Sequence, residues 1–248
     1  MLKSFLKDLR ESLFPLDYTC DLCGVETFGT NLCPDCAKTV ILNDKATCPV
    51  CGRRTVHSEI CVECKASLPR FKRAVSPLVY ADGGEKLVKK FKDGNAYLKE
   101  YFATLIAEKL NGLPKPDCIV CVPATAKTVR ERGYNQSLLL AKAISSKISA
   151  PVIRDAVIKV RDTSSQKSLS RKEREANLYG AFKVKKHSEL KGKTVLLVDD
   201  ILTTGSTANE LTRVILNAGA KEVYLATAAS VEYEPKLTVN EILTKIPF

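Results

Sequence analysis

The 248-residue chain has no tryptophan, one methionine and two histidines. None of its apolar runs approaches the roughly 18 uncharged residues that a membrane-spanning helix needs, which excludes an integral membrane protein. Lys7, Asp8, Arg10 and Glu11 stand where a signal peptide requires an unbroken apolar stretch, so a cytoplasmic location is expected. With only His57 and His187 available, a histidine base is not indicated. No Gly-x4-Gly-Lys-Ser/Thr run occurs, which excludes a Walker A loop. Acidic residues are also short: 28 Asp plus Glu face 39 Lys plus Arg, leaving a formal charge of +11. That balance predicts a polyanionic or phosphorylated partner. A charged fraction of 27% beside 45% apolar residues argues for folded domains rather than disorder. At about 150 residues per domain, the length fits one or two.

Charge and cysteine are unevenly distributed. Residues 1–70 hold nine basic and nine acidic side chains and eight of the ten cysteines, so the whole excess of +11 lies in residues 71–248. The eight cysteines form four Cys-x-x-Cys pairs, Cys20/Cys23, Cys33/Cys36, Cys48/Cys51 and Cys61/Cys64. The first four recur 28 residues later, which marks an internal duplication. Two residues between thiolates let both face one ion from a tight turn, and a second such turn completes a tetrahedral site of four thiolates. Gly24 and Gly52 follow the knuckles and suit that geometry. Two structural zinc ions are expected over 18–70. Iron and a disulfide framework are the competing readings, the latter disfavoured by the compartment. Sequential ligation within each repeat is preferred over crossed pairing. Such a module has too little apolar sequence to fold by burial alone, so metal must supply much of its stability. Ahead of it, Leu2, Phe5, Leu6, Leu9 and Leu13 share one face of an amphipathic helix expected over 1–17.

After Pro77, strands alternate with helices. Strands are expected at 78–81, 118–122, 151–153, 181–184, 194–198 and 222–228, and helices at 84–92, 97–110, 135–148 and 206–218. This order predicts an α/β unit over 71–248, a parallel sheet with helices on both faces. Cys118 and Cys121 sit within an apolar strand and read as core thiols. The informative segment is Val195-Leu-Leu-Val-Asp-Asp-Ile-Leu-Thr-Thr-Gly-Ser-Thr207. Its apolar run delivers Asp199 and Asp200 to the C-terminal end of a buried strand, the edge where open α/β sheets bind ligands. The hydroxylated loop and helix N-terminus that follow suit a phosphate monoester, while the carboxylates suit sugar hydroxyls.

All thirteen positions resemble the type I phosphoribosyltransferase signature. The resemblance implies that Thr203, Thr204, Gly205, Ser206 and Thr207 hold the 5-phosphate of phosphoribosyl pyrophosphate (PRPP). Asp199 and Asp200 would order the ribose hydroxyls as the catalytic pair, with Mg2+ bridging those hydroxyls and the pyrophosphate. The corresponding pyrophosphate loop is Ala124, Thr125, Ala126 and Lys127, with Arg130 and Arg132 beyond; cations there stabilise a departing pyrophosphate. Arg132-Gly-Tyr-Asn-Gln136 resembles the Arg-Gly-Phe-Asn-Gln block of ComF-like competence proteins. So does the downstream set Arg161, Thr163, Gln166, Leu169, Arg174, Asn177, Gly180 and Phe182, and the zinc module ahead of the transferase unit completes that layout. Thr125 and Ala126 depart from the bulkier or basic residues common in such loops, so the 5-phosphate site is the firmer expectation.

ComF-like membership implies a PRPP-binding protein that handles incoming single-stranded DNA during competence, with a helicase or other strand-handling machinery as candidate partners. The alternative is an active enzyme moving ribose 5-phosphate from PRPP to a nitrogenous acceptor. Residues 154–193, with twelve basic and five acidic side chains, can track a phosphate backbone. Gln166 to Arg174 is expected as a mobile basic loop, with Arg161, Gln166, Lys167, Arg171, Lys172 and Arg174 as candidate DNA contacts.

Overall fold

A computed structural model describes residues 19–27, 30–161 and 171–232. The helix expected over 1–17, and Thr163, Gln166, Lys167 and Leu169, lie outside them.

The duplication is visible in three dimensions. Single antiparallel bridges join Thr19 to Glu26 and, 28 residues on, Thr47 to Arg54. Each half then ends in a short helix, α1 (Pro34–Thr39) or α2 (Val62–Ala66). At both knuckles the glycine N–H returns to the carbonyl of the leading cysteine, Gly24 to Cys20 and Gly52 to Cys48, each at 2.9 Å. Both glycines are left-handed, with φ of +77° and +68°, a conformation that other residues adopt only under strain.

The chain continues through β1 (Ala74–Val75), β2 (Leu78–Val79), α3 (Asp82–Lys92), a 3-10 turn at Ala96–Leu98 and α4 (Lys99–Leu110). Next come β3 (Cys118–Cys121), α5 (Ala126–Arg132), α6 (Gln136–Ile148), β4 (Val157–Lys159) and α7 (Arg171–Leu178). The last described elements are β5 (Phe182–Val184), α8 (His187–Leu190), β6 (Thr194–Leu202), α9 (Ser206–Asn217) and β7 (Glu222–Ser230). One parallel sheet runs β1–β7–β6–β3, with β2 also on β7; β4 and β5 pair antiparallel outside it.

Both faces of the sheet are covered, which is why β6 reads as an unbroken apolar run. Side chains alternate along a strand. Leu196 and Val198 therefore pack with Phe91, Phe102, Ile106 and Ile144 of α3, α4 and α6. Val195 and Leu197 pack on the other side with Leu211 and Ile215 of α9. The second cysteine quartet belongs to that latter core, together with Phe71, Ala74 and Leu202. The cysteine-rich module is thus packed into the core of the α/β unit. Asn43 Nδ2 lies 2.9 Å from Ser76 O and 3.1 Å from Ser230 Oγ, and Ala74 N donates to Val50 O at 2.8 Å. The fit is close enough that a Cβ on Gly52 would stand 2.5 Å from Ala74 O.

Four expectations are corrected. β6 runs past its apolar stretch to Leu202, because β7 keeps pairing with it as far as Leu202↔Ser230. The stretch 151–153 makes only one parallel bridge, Val152 to Ile119. The segment after Thr125 is not an open loop: Thr125 Oγ1 accepts from Thr128 N at 3.1 Å and starts α5, and left-handed Gly133 ends it. Finally, Arg171, Lys172 and Arg174 stand on α7 rather than in a mobile loop. Arg, Lys, Glu, Ala and Leu are all strong helix formers, and that propensity outweighs their charge density.

Candidate functional site

The site forms at the C-terminal edge of β3 and β6, which are neighbours in register through Cys121↔Val198. That adjacency sets the loops after each strand side by side. After β6 the chain turns through Thr203, Thr204 and Gly205 into α9. Gly205 is left-handed with φ +80°, which lets the backbone double back over the helix N-terminus. Thr204 Oγ1 and Ser206 Oγ lie 2.9 Å apart, and Asn209 N donates to Gly205 O at 2.8 Å. A small cavity beneath the turn is lined by Asp199, Thr203, Gly205, Thr207 and Thr227. Hydroxyls, the N–H groups of a helix N-terminus and a glycine turn make an anion cradle. On the far side of the turn, Cys51, Arg53, Cys64 and Phe71 face Leu202, Thr204 and Gly205 across a second cavity. The second cysteine quartet therefore abuts the phosphate-type loop.

The two carboxylates have different surroundings. Asp199 Oδ1 accepts from Ser137 Oγ at 3.0 Å and from Asp200 N at 2.9 Å. Burial, reinforced by the Asp200 charge, pushes the Asp199 carboxyl up to about 7 despite those donors and the Lys92 charge. Asp200 makes an ion pair with Lys92, Nζ to Oδ2 3.0 Å, in a partly shielded position. A carboxyl poised near neutrality beside a paired carboxylate can accept hydroxyl protons and respond to an arriving cation.

The Arg132–Gln136 block supports this arrangement structurally. Gly133 closes α5. Asn135 caps α6, accepting from Leu138 N at 3.2 Å, and donates to Val122 O at 3.0 Å. Tyr134 donates its hydroxyl to Phe91 O at 2.5 Å, and Gln136 Nε2 donates to Lys92 O at 3.4 Å. The block thereby ties the end of α3, which carries Lys92, to the start of α6, which carries Ser137. Neither Lys92 nor Ser137 stands out in the sequence. Ser137 is signalled only by following the block, and Lys92 lies among four lysines within seven residues with nothing to distinguish it.

The structure gathers Asp199, Asp200, Thr203–Thr207, Ala124 and Thr125 at one edge. Ala126, Lys127 and Arg130 are placed on α5, with Arg132 half-buried at its end, and Lys127 lies 3.9 Å from Glu131. Arg161 stands elsewhere, donating from Nη2 to Asn177 O at 2.8 Å and Tyr179 O at 3.1 Å, at the C-terminus of α7.

The cysteines form two groups, Cys20, Cys23, Cys33 and Cys36, and Cys48, Cys51, Cys61 and Cys64, with the four ligand atoms of each group within 4.8 Å of one another. Ligation is therefore sequential within repeats. Sγ–Sγ separations of 3.8 Å (Cys23–Cys33) and 3.6 Å (Cys51–Cys61) match the tetrahedral edge of about 3.8 Å implied by a Zn–S bond near 2.3 Å. Within the second quartet, the Cys64 S–H holds Cys51 down at about 5, against burial and assisted by Arg53, while Cys64 itself is pushed up. Once one thiol ionises the others resist, and a bound dication removes that conflict. The residues fit structural zinc. Cys118 and Cys121 are pushed up to about 11 by burial and join no metal-type group among the described residues.

Residues 98–241 match the phosphoribosyl transferase domain family, and residues 9–65 match the double zinc ribbon domain. Competence protein F of Haemophilus influenzae is 33% identical over 145 residues, covering 55% of this chain and 63% of that protein. DNA utilization protein YhgH of Escherichia coli strain K12 is 37% identical over 119 residues, 48% of this chain and 52% of that protein. Competence protein ComFC of Streptococcus pneumoniae is 29% identical over 131 residues, 53% of this chain and 56% of that protein. The matched stretch thus spans between half and two thirds of each curated relative. The chain belongs to the phosphoribosyl transferase domain family, as a ComF-like member that joins a double zinc ribbon to the transferase fold.

Proposed function

We propose that the protein binds PRPP with Mg2+ and acts in DNA uptake, handling incoming single-stranded DNA in the cytoplasm. In this reading residues 71–248 form the transferase unit, 18–70 the double zinc ribbon and 1–17 an amphipathic helix. The observation that carries the PRPP assignment is the shared sheet edge, where a partly buried acid pair stands beside a glycine-hydroxyl turn at a helix N-terminus. Thr203–Thr207 take the 5-phosphate, Asp199 and Asp200 the ribose hydroxyls, and Ala124–Lys127 with Arg130 and Arg132 the pyrophosphate. Mg2+, when bound with PRPP, neutralises pyrophosphate charge. Competence-named relatives and the basic segment 154–193 support the DNA assignment.

A second reading, turnover, is favoured by the Asp199 carboxyl near 7, which provides a proton acceptor at neutral pH. The C1–N bond to a nitrogenous acceptor would form as the C1–O bond to pyrophosphate breaks. Pyrophosphate would leave with the electron pair, and the acceptor's proton would pass to the carboxylate.

Calorimetry with PRPP plus Mg2+ tests the first reading. The Asp199→Asn/Asp200→Asn variant is expected to bind about a hundredfold or more weaker, given about 1.5–3 kcal/mol for each charged hydrogen bond. Absence of PRPP binding by the parent removes the reading. Pyrophosphate release, measured with and without single-stranded DNA, separates turnover from ligand sensing.

A further inference from the structure

Three aromatic residues lie in or near the basic segments, and the fold treats them differently. Tyr134 gives its hydroxyl to Phe91 O, and Phe182 is 6% exposed in the core. Tyr179, at the end of α7, is 67% exposed. Its ring is nevertheless held in place. The Arg213 guanidinium sits 4.8 Å from the ring centroid, and Glu210 fixes Arg213 through bonds of 2.7 and 2.8 Å. Glu210 is itself buried and accepts from Gly180 N at 2.9 Å, anchoring the residue after the tyrosine. Arg161 Nη2 also donates to the carbonyls of Asn177 and Tyr179.

Arg70 completes the group. Its backbone N donates to Asn209 Oδ1 at 2.6 Å, and it borders a cavity of 180 Å³ shared with Tyr179, Ser206, Asn209, Glu210 and Arg213. Three arginines stand against Glu210 in this group, and α7, whose sequence sets Arg171, Lys172 and Arg174 against Glu173 and Glu175, leads into it. Ser206 belongs to both this cavity and the phosphate-type loop, so the two features are contiguous.

We propose that Tyr179, locked on Arg213 and flanked by Arg70 and Arg161, is a stacking platform for one base of a single-stranded nucleic acid. The inference rests on the DNA-handling reading above and gives it a location. An exposed tyrosine contributes little to a core, whereas a ring with one face fixed on a guanidinium offers the rest of its surface to a base with little ordering to be done. The arginines supply phosphate contacts that follow the backbone on either side of the base. No base edge is read, so binding tolerates sequence.

The test uses the full zinc-loaded chain and fluorescence anisotropy with a labelled strand of about 16 nucleotides, compared with an abasic strand of equal length. The parent is expected to prefer the base-bearing strand. Tyr179→Ala is expected to weaken that binding roughly 5- to 100-fold and to abolish the preference, while Tyr179→Phe keeps both. Arg70→Ala is expected to weaken both strands alike and to flatten the logarithmic salt dependence by about 0.7. Unchanged PRPP calorimetry in the same variants shows that the fold is intact. If the parent binds the strand and Tyr179→Ala retains affinity and preference, the platform is overturned and the DNA reading stands. If the parent binds both strands equally, base stacking is overturned. If the parent binds neither, platform and DNA reading fall together.

Discussion

Burial and a like charge hold the Asp199 carboxyl near 7, against 3.8 in an unfolded chain. A carboxyl raised in this way binds its proton more tightly when folded, so ionising it costs folding energy. The ligand-free protein should therefore lose stability as pH rises from about 4 through 7, with no further loss from this group above that. Asp199→Asn should raise Tm at pH 8 and leave it unchanged near pH 4, which thermal melts at the two pH values check. Lys92 and the Ser137 hydroxyl both favour the ionised form, so Lys92→Met or Ser137→Ala should move the midpoint above 7. PRPP with Mg2+ should ionise the group, releasing about half a proton per chain at pH 7; calorimetry in buffers of different ionisation enthalpy reads this directly. Asp199 and Asp200 are legible in the sequence because both lie in one contiguous pattern. The groups that tune them are not, since Ser137 stands 62 positions from Asp199 and only folding brings them together.

Gly205 does its work as part of an element boundary. Alanine there would meet only Leu202 Cδ1 at an ordinary 3.5 Å, so the obstacle to substitution is the left-handed backbone, worth about 1–2 kcal/mol. Gly205→Ala should lower stability by that amount in denaturant titrations and weaken PRPP binding, because relief of the strain turns the loop N–H groups away. Thr125→Ala should cost about 1 kcal/mol through loss of the α5 cap. The parallel sheet is readable because each central strand is a short apolar run bounded by turns. The helices α5 and α7 escape a sequence reading for a common reason: both are short and polar, so no apolar period marks them, and α5 depends on a single capping hydroxyl. The antiparallel pairing of β4 with β5 is equally hidden, because three-residue strands carry too little pattern to declare a partner.

Across the whole molecule, the two metal sites occupy different positions in the stability of the fold. Cys23 is exposed and the first quartet lies at the periphery, whereas all four cysteines of the second are buried in the core shared with β6 and α9. A chelator should release one zinc early with little change in Tm, and a second only together with cooperative unfolding; parallel metal-release and melting curves decide this. Loss of the second ion should also weaken PRPP binding, since that quartet backs the Thr204–Gly205 turn. The duplication announces two equal sites, but their inequality arises from tertiary packing that no repeat can encode. The same packing sets an order of manufacture. Strand β7 pairs with β1, β2 and β6, and Ser230 is the residue that Asn43 reaches across 187 positions. A ribosome delivers the last cysteine of the ribbons, Cys64, long before it delivers β7, an interval of about 8 to 33 seconds at bacterial-to-eukaryotic elongation speeds. For most of that time neither β6 nor α9 exists either, so the second quartet waits for the core that buries it, and β1 and β2 wait for the strand they pair with.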